Sequence, residues 1–172
     1  MQENSGKMGE LYLAGYTVEP ITLSNLSKYE DVFYCNHDYY MITDGRPATR
    51  QDCIDTVEYS MDEIPQDNIL NIGFSREGNA VACLFVIKGY PREDILYIGL
   101  FLVHNNYKRK SIGSQCIQAL IRSLKGTNIK YVRLSVQDNN TSGLPFWKHM
   151  GFSVIEKTHC GDFSNLTMEY AL

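Results

Sequence analysis

Hydrophobic and polar positions recur at readable periods along the chain. The plainest signal is an almost unbroken apolar run, Ile95–Val103, reading ILYIGLFLV. A run of that length between turn residues predicts a strand covered on both faces. A polar loop follows over residues 104–110, and then the period changes. Ile112, Cys116, Ile117, Leu120, Ile121 and Leu124 form one stripe of a helix. Gln115, Gln118, Arg122 and Lys125 lie outside it, and Gly126 suits its end.

Upstream, alternation over residues 11–23 predicts an opening strand. Tyr16, Val18 and Pro20 lie on one side, and Thr17, Glu19 and Ile21 on the other. Ser24 or Asn25 caps a helix carrying Leu26, Tyr29, Val32 and Phe33 at three-to-four spacing. It runs out near Asn36, His37 and Asp38. Residues 36–50 mix polar groups with aromatics and are broken by Gly45 and Pro47, so they read as a loop. Loops on a rigid scaffold carry binding groups. Tyr39, Tyr40, Asp44 and Arg46 are therefore candidate substrate contacts on one wall of a pocket. The alternative is a surface connection with both tyrosines tucked on the core. Thr49 to Asp52 opens a second helix in a near capping-box arrangement. Ile54, Val57 and Met61 face inward, and the helix ends within residues 62–66. Strands over residues 69–75 and 80–89, joined by the turn at residues 76–79, then lead into Ile95–Val103 as an antiparallel meander.

Downstream, residues 129–136 read as a strand. Because a crossover helix precedes it, this strand should lie parallel to Ile95–Val103 in the same sheet. Residues 143–150 form a short helix with Pro145 in its first turn and Gly151 closing it. Residues 152–160 and 165–172 form a closing hairpin.

Composition narrows the class. The 172 residues suit one domain, assigned to residues 11–172, after a polar lead-in over residues 1–10. The lead-in lacks the apolar stretch of a secretory signal. No apolar run approaches the ~20 residues that span a bilayer. A cytoplasmic protein without a membrane partner is expected. The formal net charge of −4 argues against a nucleic-acid partner. Lys108, Arg109 and Lys110 are then a local basic feature that favours a small anionic ligand. The five cysteines have no paired spacing, which predicts free, mostly buried thiols. Cys35/His37 and His159/Cys160 belong to no metal-site frame, so no metal is expected.

After the basic triplet, Ser111, Ile112, Gly113 and Ser114 open the helix. First-turn N–H groups lack intrahelical partners, and the helix dipole is positive at that end. With flanking cations this is a recipe for holding phosphate. It is equally a solvated strand-to-helix connection, and the residues alone leave both readings open.

The element order, with a phosphate-type loop after the fourth strand, resembles the GNAT superfamily of acyl-CoA-dependent N-acetyltransferases. In that family the strand before the loop ends in an apolar pair whose backbone meets the pantetheine arm; Leu102 and Val103 stand there. The family loop reads (Gln/Arg)-x-x-Gly-x-(Gly/Ala), against Lys108-Arg-Lys-Ser111-Ile-Gly113. The family's later Asn, short helix with an aromatic pair and terminal Gly-Phe are matched by Asn140, Phe146, Trp147, Gly151 and Phe152. Two departures stand out. Ser111 replaces the first loop glycine, and Trp147 replaces the tyrosine that often protonates the departing thiolate.

The resemblance implies an α+β (α/β) GNAT-like fold. Its central sheet is mixed and mostly antiparallel, with about seven strands flanked by helices. It implies acetyl transfer from acetyl-CoA to a primary amine of a small molecule, peptide or protein, by direct attack in a ternary complex. Lys108, Arg109, Lys110, Ser111, Ile112, Gly113 and Ser114 would hold the pyrophosphate. Leu102, Val103, Asn140, Phe146 and Trp147 would hold the pantetheine arm and its thiol end. Members often keep a carboxylate in the strand before the loop. Here Tyr97 is its only titratable side chain, and it becomes the candidate base, alongside a held water, Asp38 or Asp44. A relative that binds acyl-CoA without turning it over is the alternative. Monomer and homodimer both stay open.

Overall fold

A computed structural model describes residues 10–172 and builds them around the expected strand. Ile95–Val103 is β4, the centre of a seven-stranded sheet. The other strands are β1 (Thr17–Pro20), β2 (Ile69–Arg76), β3 (Asn79–Lys88), β5 (Tyr131–Gln137), β6 (Ser153–Cys160) and β7 (Phe163–Ala171). Their order is β1-β2-β3-β4-β5-β7-β6. Every neighbouring pair is antiparallel except β4 and β5, which are parallel because α4 (Ile112–Ser123) crosses between them.

Each face of the sheet carries a helical layer. On one face α4 lays Ile112, Cys116, Ile117 and Leu120 against Leu96, Ile98, Val132 and Leu134. α5 (Gly143–His149) adds Phe146 and Trp147 on the same side. On the other face lie α1 (Glu30–Tyr34), α2 (His37–Thr43) and α3 (Arg50–Val57). There Tyr29, Val32, Phe33, Tyr40 and Cys53 pack with Cys83 and Leu102. The two faces of β4 are set by a bulge. Phe85 pairs with Leu100 and Val86 with Ile98, so Gly99 is the extra residue. The bulge reverses the alternation, sending Leu96, Ile98, Phe101 and Val103 to the α4 side and Tyr97, Leu100 and Leu102 to the other.

Several expectations shift. The opening strand is only four residues, and Leu11, Leu13 and Tyr16 reach the core from outside it. The first helix divides into a 3-10 turn, Leu26–Lys28, and α1. The expected loop over residues 36–50 contains α2, which ends where Gly45 takes a φ of 69°. The second helix stops at Val57 rather than within residues 62–66, and Met61 instead bridges to Ile64. Its start is a full capping box between Thr49 and Asp52. The lead-in lies outside the described residues except for Glu10. Among the described residues no helix is long and apolar enough to cross a membrane.

Candidate active site

β4 and β5 are in register only from Ile95 opposite Tyr131 to Ile98 opposite Leu134. Beyond that point β4 runs on to Val103 with no partner on this side, while β5 stays with β7. A cavity of 760 Å³ opens where they part. Its walls are the far ends of the two strands, α5, the start of α4 and the start of α2. Few small-molecule sites exceed about 1,000 Å³, so the cavity is ample for one.

At one end is the basic loop. Arg109 and Ser111 take φ values of 58° and 60°, the left-handed region that L-residues avoid. Ser111 is the N-cap of α4, yet its side chain caps nothing. The N–H groups of Gly113 and Ser114 have no acceptor among the described residues. Gly113 lines the cavity; a Cβ there would stand 3.3 Å from the Phe146 ring and 3.5 Å from Val103. Lys108 and Arg109 line the cavity too. Lys110 does not: its ammonium donates to the Asn106 carbonyl at 2.8 Å and lies over the Tyr107 ring. Ile112 is core, and Ser114 lines a separate depression with Gln118 and Arg122.

The middle of the cavity is aromatic. Phe146 and Trp147 pack edge to face at 4.9 Å, with Phe101 stacked at 6.0 Å from Phe146. Beside them stand two uncommitted amides. Asn140, 9% exposed, accepts from the Gly143 N–H at 2.8 Å through Oδ1, leaving Nδ2 with no partner among the described residues. Gln137 Oε1 is buried and receives no hydrogen bond from any described residue. A buried acceptor without a donor is costly unless a ligand supplies one. A free amide donor and an orphaned acceptor on one wall fit an amide-bearing ligand arm. The cradle of free N–H groups fits its phosphates.

Asn36, Phe101 and Gln137 line the cavity and escaped the sequence reading as site residues. Asn36, 5% exposed, donates through Nδ2 to the carbonyls of Val32 at 2.7 Å and Val103 at 3.1 Å. No described residue donates to its Oδ1. Asp38, already considered as one of several bases, is the sole carboxylate among the described residues that lines the cavity. Asn36 carried no motif; only its place at a helix start next to the apolar Val32 and Phe33 hinted at burial.

The candidate acceptor residues divide. Tyr39 lines the cavity, and burial, then the charge of Asp44, pushes its phenol up to about 12. Tyr40 and Asp44 line an adjoining cleft. Arg46 lines neither, because its guanidinium makes two bonds of 2.8 Å to Asp52. Tyr97 is also absent from the lining: the bulge at Gly99 separates it from the parted end of β4, and it packs edge-on to Tyr90 at 5.5 Å. Burial raises its phenol, which weakens it further as a base. Among the described residues no three His, Cys, Asp or Glu side chains gather as a metal site.

Similar proteins place this architecture. A sequence search of curated proteins finds no match. An acetyltransferase from Thermus thermophilus superposes with a TM-score of 0.75 at 16% identity, over 94% of this chain and 99% of that one. The PaiA N-acetyltransferase from Thermoplasma acidophilum, solved with coenzyme A, gives 0.65 at 16%, over 91% and 99%. The ribosomal-protein-S18-alanine N-acetyltransferase from Escherichia coli gives 0.64 at 14%, over 91% and 93%. The sequence pattern of the Acetyltransferase (GNAT) family matches residues 36–152, which include both walls of the cavity. With that match spanning more than half of the chain, the protein belongs to the GNAT acetyltransferase family.

Proposed function

We propose that the protein transfers an acetyl group from acetyl-CoA to a primary amine by direct attack in a ternary complex. The observation that carries this reading is the parting of β4 and β5 beside a helix start with free N–H groups. A long ligand that is phosphorylated at one end and amide-bearing in the middle matches the order of groups along the cavity. Lys108, Arg109 and the first turn of α4 take the phosphates. Asn140 Nδ2 and Gln137 Oε1 take the amides, one as donor and one as acceptor. Phe101, Phe146 and Trp147 exclude water around the thiol end.

Bound acetyl-CoA supplies the thioester carbonyl carbon and a thiolate leaving group. As the amine nitrogen forms its bond to that carbon, the carbon–sulfur bond breaks with its electron pair on sulfur. Asp38, through solvent, receives the proton the nitrogen gives up. Asn36 Oδ1 accepts an N–H of the incoming amine and aims its lone pair. The chain contributes no covalent nucleophile: Cys116 is sealed in the α4 stripe, and burial pushes its thiol up to about 12. The Trp147 indole donates a hydrogen bond but is no acid near neutral pH, so the thiolate takes its proton from water. The same feature favours a second reading, an acyl-CoA binder without turnover.

Calorimetric titration with acetyl-CoA, wild type beside Gly113→Glu, tests the site. The added carboxylate faces the phosphates, so binding is expected in wild type and lost in a folded variant. Equal binding by both would place the phosphates elsewhere. Coenzyme A release with an amine then separates transfer from binding alone.

A further inference from the structure

The main cavity abuts a second cleft of 290 Å³. Tyr39, Thr43, Gly99 and Leu100 line both. The rest of the cleft is aromatic and acidic: Tyr40, Tyr59 and Phe85 stand with Asp44, Asp52 and Asp55, and no lysine or arginine lines it. Asp52 is committed to Arg46 and to the capping box of α3. Asp55 takes only a neutral amide N–H, from Gln51 at 2.7 Å. Asp44 pairs with no cation among the described residues. Two carboxylates thus face the cleft outside any ion pair among the described residues, although the Arg46 guanidinium stands near Asp44.

An independent sign of a ligand comes from Tyr40. It is 5% exposed, and its hydroxyl neither donates nor accepts a hydrogen bond among the described residues. A tyrosine this deeply buried whose hydroxyl finds no protein partner is uncommon. Carboxylates for charge, a hydroxyl for an N–H and aromatic faces for methylenes together describe a chain of methylenes with a cationic end.

We propose that this cleft holds the far end of the acceptor, and that the acceptor is a primary amine carrying a second, protonated nitrogen along an extended chain, a diamine. The far ammonium sits between Asp44 and Asp55 near the Tyr40 hydroxyl. The near nitrogen reaches the main cavity past Gly99 and Leu100. This assignment rests on the acetyl-transfer reading of the main cavity.

Coenzyme A release with 1,4-diaminobutane and 1-aminobutane tests it, in wild type, Asp44→Asn/Asp55→Asn and Tyr40→Phe, with acetyl-CoA affinity measured for each. In wild type the diamine should exceed the monoamine in kcat/KM by about three- to tenfold, the worth of two ion pairs to exposed carboxylates. The double substitution should remove that preference and leave 1-aminobutane within about twofold. Tyr40→Phe, which keeps the ring, should raise KM for the diamine alone. Equal use of both amines, equal loss of both, or preferred acetylation of a peptide amino terminus overturns the proposal. So does a wild type that binds acetyl-CoA and acetylates neither amine. A wild type that fails to bind acetyl-CoA overturns the reading of the main cavity itself.

Discussion

Gly73, in the middle of β2, sets two opposed effects against each other on substitution by alanine. Its φ is not positive, so alanine fits the backbone. Reduced freedom of the unfolded chain would then stabilise the protein by about 0.4–1 kcal/mol. Against this, the new Cβ would stand 2.2 Å from Tyr29 Cζ and 2.5 Å from its hydroxyl oxygen. Carbon atoms pack at about 3.5–4.0 Å, so the ring must retreat by more than ~1 Å. It has nowhere to go, because Tyr29 is 0% exposed. Its hydroxyl also donates to Glu19 at 2.7 Å, and the same carboxylate holds Lys28. Overpacking costs about 1–3 kcal/mol. Loss of a hydrogen bond to a charged group adds roughly 1.5–3 kcal/mol. The net expectation is a loss of about 2–5 kcal/mol. At about 2–4 °C per kcal/mol, Tm should fall by roughly 4–20 °C. Urea unfolding followed by Trp147 fluorescence measures it, and Tyr29→Leu in the Gly73→Ala background should recover part of the loss. An unchanged or higher midpoint in Gly73→Ala would refute the reasoning, because only the unfolded-state effect would be left. The contact matters for function, since Tyr29 sits at the head of α1 and packs in the helical layer that carries α2.

Two further predictions concern the same layer. Asn36→Ala removes its two hydrogen bonds, to the Val32 carbonyl in the core and the part-buried Val103 carbonyl, and should destabilise by about 1–3 kcal/mol; it should also lower kcat/KM for the amine while sparing acetyl-CoA affinity, and a variant with unchanged turnover would remove Asn36 from the mechanism. Asp52 is held well below the usual carboxylate range, chiefly by the Arg46 guanidinium and then by the Thr49 N–H and hydroxyl. A lowered native value gives stability that is full above the unfolded value of ~3.9 and is lost as pH falls below it. Asp52→Asn should therefore cost about 1–2 kcal/mol at pH 7, the worth of a helix cap, and the gap from wild type should shrink toward pH 3 in parallel urea titrations; a gap constant with pH would contradict this.

Much of the frame was legible because local patterns and global packing agree. β4 has the expected bounds, since an apolar run between turn residues has few other fates. α4 follows for a similar reason: its stripe is long enough to fix a period. α2 was missed because seven residues give barely two turns, no side chain caps it, and its aromatics read as well in a loop. The bulge at Gly99 has no sequence signature beyond a glycine in a strand. That bulge decides which residues face the cavity: Tyr97 was nominated as the strand's only titratable side chain, and the bulge leaves it off the lining. Arg46 was misplaced for a different reason. An exposed arginine near a capping aspartate finds its partner within six residues, and no periodicity announces that bond.

The gap between β4 and β5 has a consequence for how the protein can change over time. Past Ile98, recognition is offered by the peptide groups of an interrupted ladder, which every residue but proline presents alike. Side chains there can be exchanged while the hydrogen-bonding surface persists. A surface written in main chain is nearly immune to substitution, and the fold itself superposes on another at a TM-score of 0.75 with only 16% of residues identical. Diversity is then free to collect on the opposite face, in the short helices α1, α2 and α3.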